Sequence, residues 1–387
     1  MPRETGRYEN STVGGVTLRA FVPHPLPPAD PPLALDGALR GRLARAEQAV
    51  GRLALAATLT PSADAYASAF SKKEAILSDR LSGGGATLPA LFAVEAGLDG
   101  ESEGRTDSGD TRDIRNYLDA MEFARDNRSG HPEPLNEAHR LLLREDANAG
   151  GPAVGIREEQ NWVGDTASRA SYVPPPPERV PAVLGAFQRY IQTPDGLAPL
   201  IRVGLLHAQF DAIHPYLRGN DRMGRLLITL LLEHWGLLPR PLLYLSLFFK
   251  QRHGEYPRRL HAVRGSGDWE GWLAFFLDGV ATVADDATAT MRDLQELGAA
   301  ARSRILKYHA ASVVSLQLLE VLPQHPVVTG RSVVRILGVT RPTAGKAIDV
   351  LEQCGVLVET TGRKRDRVYH YARYIERLCD GMDAAQG

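Results

Sequence analysis

His214 stands a few residues ahead of Gly219 and Asn220, and two arginines, Arg222 and Arg225, follow three positions apart. If a helix begins at about residue 221, Gly219 and Asn220 lie where unpaired backbone N–H groups and the positive end of the helix dipole attract an anion. The two arginines would be neighbours on its first turns, and guanidinium forks match phosphate oxygens. Histidine titrates near neutrality, so His214 could act as a general base beside a bound anion. Together these groups meet the needs of phosphoryl or nucleotidyl transfer, in which positioning and charge stabilisation supply most of the catalysis. They equally suit a helix–loop–helix with a capped start and solvated arginines, and residue types alone do not separate the two.

These residues need helices to hold them. Apolar spacing of three and four predicts helices over 36–57, 62–81, 113–126, 181–192, 198–212 and 221–235, with further helices to about 310. Pro61 interrupts the first pair and Gly83-Gly84-Gly85 ends the second helix. The Pro-rich start, ending Phe21-Val22-Pro23-His24-Pro25-Leu26-Pro27-Pro28, reads as an extended arm. Residues 98–112 and 125–134 read as loops, and after the turn Ala149-Gly150-Gly151-Pro152 a short hairpin is expected over 154–163. Packed structural roles are expected for His207, Trp162, Tyr172, Phe248, Phe249, Phe275 and Phe276.

The 387 residues suggest two or three folded units at about 150 residues per domain. With 43% hydrophobic and 24% charged residues, the chain is neither mostly disordered nor fibrous. A net charge of -1 excludes a global field toward nucleic acid or anionic lipid, so any such binding must be local. Two cysteines, Cys354 and Cys379, are too few for a disulfide framework and fit a reducing cytosol. The N-terminus lacks the apolar core of a signal peptide, and the stretch Leu226 to Phe249 is broken by Glu233, His234, Pro239, Arg240 and Pro241. A cytoplasmic protein with no membrane partner is expected.

The run His207-Ala208-Gln209-Phe210-Asp211-Ala212-Ile213-His214-Pro215-Tyr216-Leu217-Arg218-Gly219-Asn220-Asp221-Arg222-Met223-Gly224-Arg225 resembles the signature of the Fic family, H-P-F-x-[D/E]-G-N-G-R-x-x-R. The resemblance extends to Asn161-Trp162-Val163-Gly164, which look like that family's substrate-aligning flap, to Tyr172 through Glu178, and to the arm Ala20 to Pro28. It implies a mainly α-helical Fic core with a short β-hairpin flap, and transfer of AMP from ATP to a hydroxyl of a protein target or of the chain itself. His214 would be the base, and Gly219, Asn220 and Gly224 would belong to the phosphate cradle. Arg222 and Arg225 would hold phosphates, Arg225 at the position that usually meets the γ-phosphate. ATP enters as substrate. Tyr216 replaces the family's phenylalanine, a mild change if its hydroxyl finds a partner.

Three positions depart from the pattern. Arg218 occupies the acidic position that helps bind Mg²⁺ in the family, and a cation cannot coordinate a cation. The usual metal ligand is gone, which leaves the use of Mg²⁺ open. Asp221 replaces a glycine and puts a carboxylate where phosphate should lie, which suits the helix dipole but repels a nucleotide. Arg218 and Asp221 could pair across the turn, Arg218 could stand in for the metal, or Asp221 could hold one from the other side. The segment from Glu74 to Leu88 looks like the family's inhibitory helix, with Ser78 in its first place and Ser82 where the bridging glutamate belongs. Without that carboxylate Arg225 is expected to be free, which argues against self-inhibition by the usual salt bridge and against AMP removal. For Ser82 the alternative is a Gly-rich turn that ends a helix.

The last seventy residues change texture. Helices over 326–337 and 341–354, then strands at 356–360 and 367–371, read as helix, turn, helix and wing. Between 321 and 378 there are ten basic residues and five acidic ones, in a chain that is net acidic. This is similar to the winged-helix tail of many Fic proteins. Arg341, Thr343, Lys346, Arg363, Lys364 and Arg365 are candidate DNA contacts, with dimerisation or target docking as the alternative use. The expected organisation is an N-terminal arm and helical region over 1–112, a catalytic core over 113–310 and a winged helix-turn-helix domain over 311–387. Expected partners are a nucleotide, a protein hydroxyl and DNA, with a homodimer open. The competing function is a scaffold that keeps the fold and works by binding DNA, or an enzyme for a different phosphate-containing substrate.

Overall fold

The computed structural model describes residues 3–60, 62–98, 109–127, 132–144 and 155–383. The turn at 149–152, together with Pro61 and Val154, lies outside them. The chain opens with a hairpin, β1 (Gly6–Val13) and β2 (Val16–Pro23), antiparallel from Gly6 opposite Pro23 to Val13 opposite Val16. Its two-residue turn, Gly14-Gly15, takes positive φ at both positions (54° and 82°), which glycine adopts without a Cβ penalty. The expected arm is therefore a folded hairpin, specified by Gly-Gly between residues of strand-forming type. It is fastened at both ends. Arg3 reaches Glu270 at 2.8 Å, Phe21 N–H donates to Val173 O at 2.9 Å, and the Gln209 amide donates to His24 O at 2.8 Å.

Among the described residues, eleven α-helices follow before the C-terminal region: α1 (Gly37–Leu59), α2 (Ala63–Leu81), α3 (Leu88–Glu95), α4 (Gly109–Asp126), α5 (Pro132–Leu142), α6 (Val180–Gln192), α7 (Pro199–Ile213), α8 (Asn220–His234), α9 (Ser246–Gln251), α10 (Glu255–Ser266) and α11 (Trp269–Lys307). Asp36 caps α1, its Oδ1 accepting from Leu39 N–H at 2.8 Å. The 39-residue α11 lies along α1 and also carries α7, α9 and α10. The helices at α3 and α5, and the start of α4, fall in or beside stretches read as loop, because Gly, Ser and Asp at their ends mask short apolar stripes. The hairpin expected over 154–163 is not seen in its described part, 155–163. That segment pairs instead across a longer loop, through a single bridge between Val163 and Tyr172.

α7 is buried on nearly every side, as expected of a helix apolar all round. Its close crossing with α11 depends on Gly204, where a Cβ would come within 2.8 Å of Leu273 Cδ2 and 3.1 Å of Phe276 Cδ1. The Trp272 indole N–H donates to Gly204 O at 2.8 Å. Phe248, Phe249, Phe275 and Phe276 are all buried in this core.

The C-terminal region contains α12 (Val313–Val321), β3 (Val327–Thr329), α13 (Gly330–Leu337), α14 (Arg341–Gln353), β4 (Val358–Glu359), β5 (Val368–His370) and α15 (Ala372–Cys379). The strands form an antiparallel sheet in the order β3-β5-β4. The helix expected from 326 starts at Gly330, because Val327 and Val328 pair in the sheet and Thr329 begins a reciprocal cap with Ser332. Among the described residues no helix is long and apolar enough to cross a membrane.

Because Gly204 sets the distance between α7 and α11, Gly204→Val is expected to lower unfolding free energy by roughly 1–3 kcal/mol through overpacking. Chemical denaturation against the unmodified protein measures it.

Candidate functional site at the start of α8

The loop 214–219 joins two buried helices, and its shape is fixed from within. Asn220, 4% exposed, accepts from Tyr216 N–H at 2.9 Å and donates to Tyr216 O at 2.7 Å, closing the loop on itself. Gly219 supplies the left-handed residue (φ 74°) that lets α8 start there. The Tyr216 ring is buried and its hydroxyl meets Asn136 Oδ1 at 3.2 Å, the partner that a tyrosine at this position requires. It stacks on His139 with ring centres 3.8 Å apart and planes 7° apart. His139 Nε2 lies 2.9 Å from Arg218 O, and a carbonyl only accepts, so that nitrogen carries the hydrogen. Burial pulls His139 down to about 4, which keeps the ring neutral.

His214 ends α7 with left-handed backbone (φ 48°, ψ 60°) and is half-buried. Its Nδ1 lies 2.8 Å from Asp211 O and must donate to it, so in the neutral ring the Nε2 lone pair is open to accept a proton. Asp211 itself pairs with Arg264, which lies over the Tyr172 ring at 4.1 Å. The Tyr172 hydroxyl donates to Ala212 O.

Arg157 braces this loop and could not have been singled out from local sequence. It is buried, and its guanidinium donates to His214 O at 2.8 Å, to Glu159 O at 3.1 Å and to Pro175 O, while its N–H donates to Pro215 O. Burial pulls it down to about 10, so it stays a cation at neutral pH. The flap lies alongside. Asn161 donates to Leu217 O at 3.1 Å and accepts from Trp162 N–H at 2.8 Å, and Val163 pairs with Tyr172 beyond it. Gly164 has φ 128°, and a Cβ there would approach Arg169 O to 3.1 Å.

The two arginines of α8 differ. Arg222 points toward Asp113, 3.9 Å away. Arg225 is 3% exposed and bonded through Nε and Nη2: Nε donates to Ser78 Oγ at 2.8 Å, and Nη2 lies 2.8 Å from Ser78 O, 2.8 Å from Ser82 Oγ and 3.0 Å from Asp221 Oδ2. Ser82 Oγ in turn donates to Asp221. The expectation of a free Arg225 is thus overturned: the carboxylate missing at position 82 is supplied one helical turn away on α8, and Ser82 joins the two. Of the three readings of Asp221, the structure shows its carboxylate paired with Arg225, because residues four apart on a helix face each other. The Asp221 side chain is half open to solvent, but loss of water around its bonded oxygen opposes ionisation; the Arg225 charge and the hydrogen bonds from Ser82 and Arg225 outweigh this and hold the carboxyl well below the usual range. Gly224 packs against His207 and Phe210, and His207 donates from Nδ1 to Gly224 O at 2.9 Å while its Nε2 meets the Tyr256 hydroxyl at 2.7 Å. His207 is therefore a packing residue between α7 and α8.

Away from this site, Arg341, Lys346, Lys364 and Arg365 are exposed on α14 and the β4–β5 loop, Arg363 is exposed beside them, and Thr343 is half-buried. The thiols of Cys354 and Cys379 are both pushed up by burial, which suits neither to nucleophilic attack.

Residues 131–232 match the Fic/DOC family, and residues 40–126 match the Fic/DOC family N-terminal region. A Fic family protein from Desulfovibrio desulfuricans shares the fold with a TM-score of 0.59 at 21% identity, over 88% of this chain and 97% of that one. A Fic domain containing signaling protein from Bacteroides thetaiotaomicron gives 0.51 at 18% identity, over 64% and 95%. A probable protein adenylyltransferase of Aquifex aeolicus is 32% identical over 69 residues, a stretch covering 18% of this chain and 22% of that protein.

The ion pair predicts a pH signature. Asp221 is 45% exposed at its side chain, so its pairing with buried Arg225 should contribute roughly 1 kcal/mol. The stability difference between the unmodified protein and Asp221→Asn should hold steady above the ordinary aspartate pKa of about 3.9 and shrink as pH falls below it. Denaturant titrations across the acid range measure this.

Proposed function

The chain is a Fic domain protein, and from that premise we propose that it is a Fic-type nucleotidyltransferase that moves AMP from ATP to a hydroxyl of a protein or of its own chain. The observation that carries this reading is the His214 ring, whose Nδ1–H is held by Asp211 O at 2.8 Å so that Nε2 is left as a base beside the start of α8. Nε2 takes the proton of the acceptor hydroxyl, and the freed oxygen attacks the α-phosphorus. A phosphodiester forms, the bond to the bridging oxygen of the β-phosphate breaks, and pyrophosphate leaves. Its charge would face the N–H groups that open α8 and the Arg222 side chain. The weakly similar adenylyltransferase of Aquifex aeolicus supports a Fic-type enzyme at the level of the family.

Mg²⁺ is handled differently from the family pattern. The ligand position holds Arg218, and among the described residues no group of three or more His, Cys, Asp or Glu side chains could hold a metal. Arg218 cannot serve as a ligand to Mg²⁺, and no step above uses that ion. Arg218 brings positive charge to the same place, while Asp221 adds a carboxylate directed at Arg225. Both changes alter how much anionic charge the site tolerates, and a donor other than ATP would be read in the same assay.

A second reading rests on exposed Arg341 and Lys346 on α14 together with Arg363, Lys364 and Arg365 beyond β4. In it, α13 and α14 form a helix-turn-helix, the β4–β5 loop is a wing, and duplex DNA is the partner, with α14 in the major groove.

Incubation with α-labelled ATP, and in parallel with other labelled nucleoside triphosphates, should label protein, and His214→Ala should cut labelling by about 100-fold or more. Combined Arg218→Asp and Asp221→Gly should raise AMP transfer. Absence of label with every nucleotide, in both backgrounds, would exclude the transferase. For DNA, neutralising Arg363, Lys364 and Arg365 together should make the salt slope of duplex binding shallower by about one for each phosphate these side chains neutralise.

A further inference from the structure

Residues 380–383, which follow α15, are docked on the same helix that covers Arg225. After α15, the backbone turns at Gly381 (φ 76°) and its carbonyls become acceptors for side chains of α2 and α9. Lys73 Nζ lies 3.2 Å from Asp380 O, Gln251 Nε2 3.4 Å from Gly381 O and Lys250 Nζ 2.8 Å from Met382 O. Arg80 reaches Met382 O at 3.4 Å and Asp383 Oδ1 at 2.9 Å, and its Nε donates to Ala86 O at 2.9 Å. Met382 is buried, and Lys73 is fully buried with its ammonium 4.4 Å over the Tyr244 ring. A buried ammonium requires such partners, so the tail is part of what makes this packing tolerable.

Arg80 lies on α2 between Ser78 and Ser82, the two residues that hold Arg225. The tail is continuous with α15, which packs on α2 and α11 and is pinned to α11 by Arg377 and Asp293 at 2.8 Å. The C-terminal region therefore has a direct mechanical hold on the last turn of α2.

We infer that Asp380–Asp383 is a latch that keeps the end of α2 where Ser78 and Ser82 cover Arg225, so that releasing the tail opens Arg225 to an anionic ligand. Any event at the C-terminal region that moves α15 would then be felt at the start of α8, as a coupling between two places on the chain. The opening of Arg225 to an anion rests on the phosphate-binding reading given above; the hold of the tail on α2 does not.

Three proteins test the latch, namely the full chain, a chain ending at Cys379 and full-length Arg80→Gln, with Arg225→Gln and Asp221→Gly as binding controls. Amide hydrogen exchange over residues 74–82 should accelerate about tenfold or more in both altered proteins. Calorimetry with inorganic tripolyphosphate should show binding tightened by about fivefold or more in both, a gain that Arg225→Gln abolishes. If the shortened chain does not fold, Arg80→Gln decides. Unchanged exchange over 74–82 overturns the latch whatever the binding shows. Faster exchange with unchanged affinity, in proteins that do bind tripolyphosphate, overturns its link to Arg225. Failure of every protein to bind tripolyphosphate, Asp221→Gly included, overturns the phosphate-binding reading and that link together, while the exchange result still decides the latch.

Discussion

The guanidinium of Arg225 is the joint on which the candidate site turns. It is almost fully enclosed, and a buried cation persists only when charge and hydrogen bonds replace the water it has lost. Three side chains do this. Ser78 and Ser82 approach from α2, and Asp221 from the first turn of the helix that carries Arg225 itself. One interaction thereby fixes the end of α2 against the start of α8, and the loop bearing His214 is held between α7 and that same start. Breaking the joint would both leave a charge poorly solvated and release the two helices from each other.

The placement of the carboxylate has an electrostatic meaning. At the opening of a helix a negative side chain is favoured by the dipole, but it also occupies the place where an external anion would be most stabilised. Asp221 resolves this by leaning toward Arg225, so the charges cancel inside the protein. Arg222 is directed at Asp113 instead. The site is thus less positive than its count of arginines suggests, and its remaining strength lies in backbone N–H groups held in position by the reciprocal bonds of Asn220 and Tyr216.

Much of this is legible in the sequence. α1, α2, α6, α7 and α8 follow apolar spacing to within a residue or two, because long buried stripes dominate local preference. The motif brings His214, Asn220, Arg222 and Arg225 to one loop and one helix. What local sequence does not carry is packing at long range. Arg157 looks like any loop arginine until its guanidinium is found on the carbonyls of His214 and Pro175, and His139 matters only because α5 brings it under Tyr216. The fate of Arg225 escapes the sequence for the same reason: spacing shows that Asp221 and Arg225 share a helix face, but not that α2 closes over both.

The backbone at His214 lies in the left-handed region, which costs a residue with a Cβ roughly 1 kcal/mol or more relative to glycine. Glycine would fill that corner more comfortably and is what a helix end of this shape ordinarily selects. An imidazole persists there at the expense of a better-folded bend, so this is a position at which optimising the fold alone would erase the ring whose Nε2 is left open beside the α8 opening.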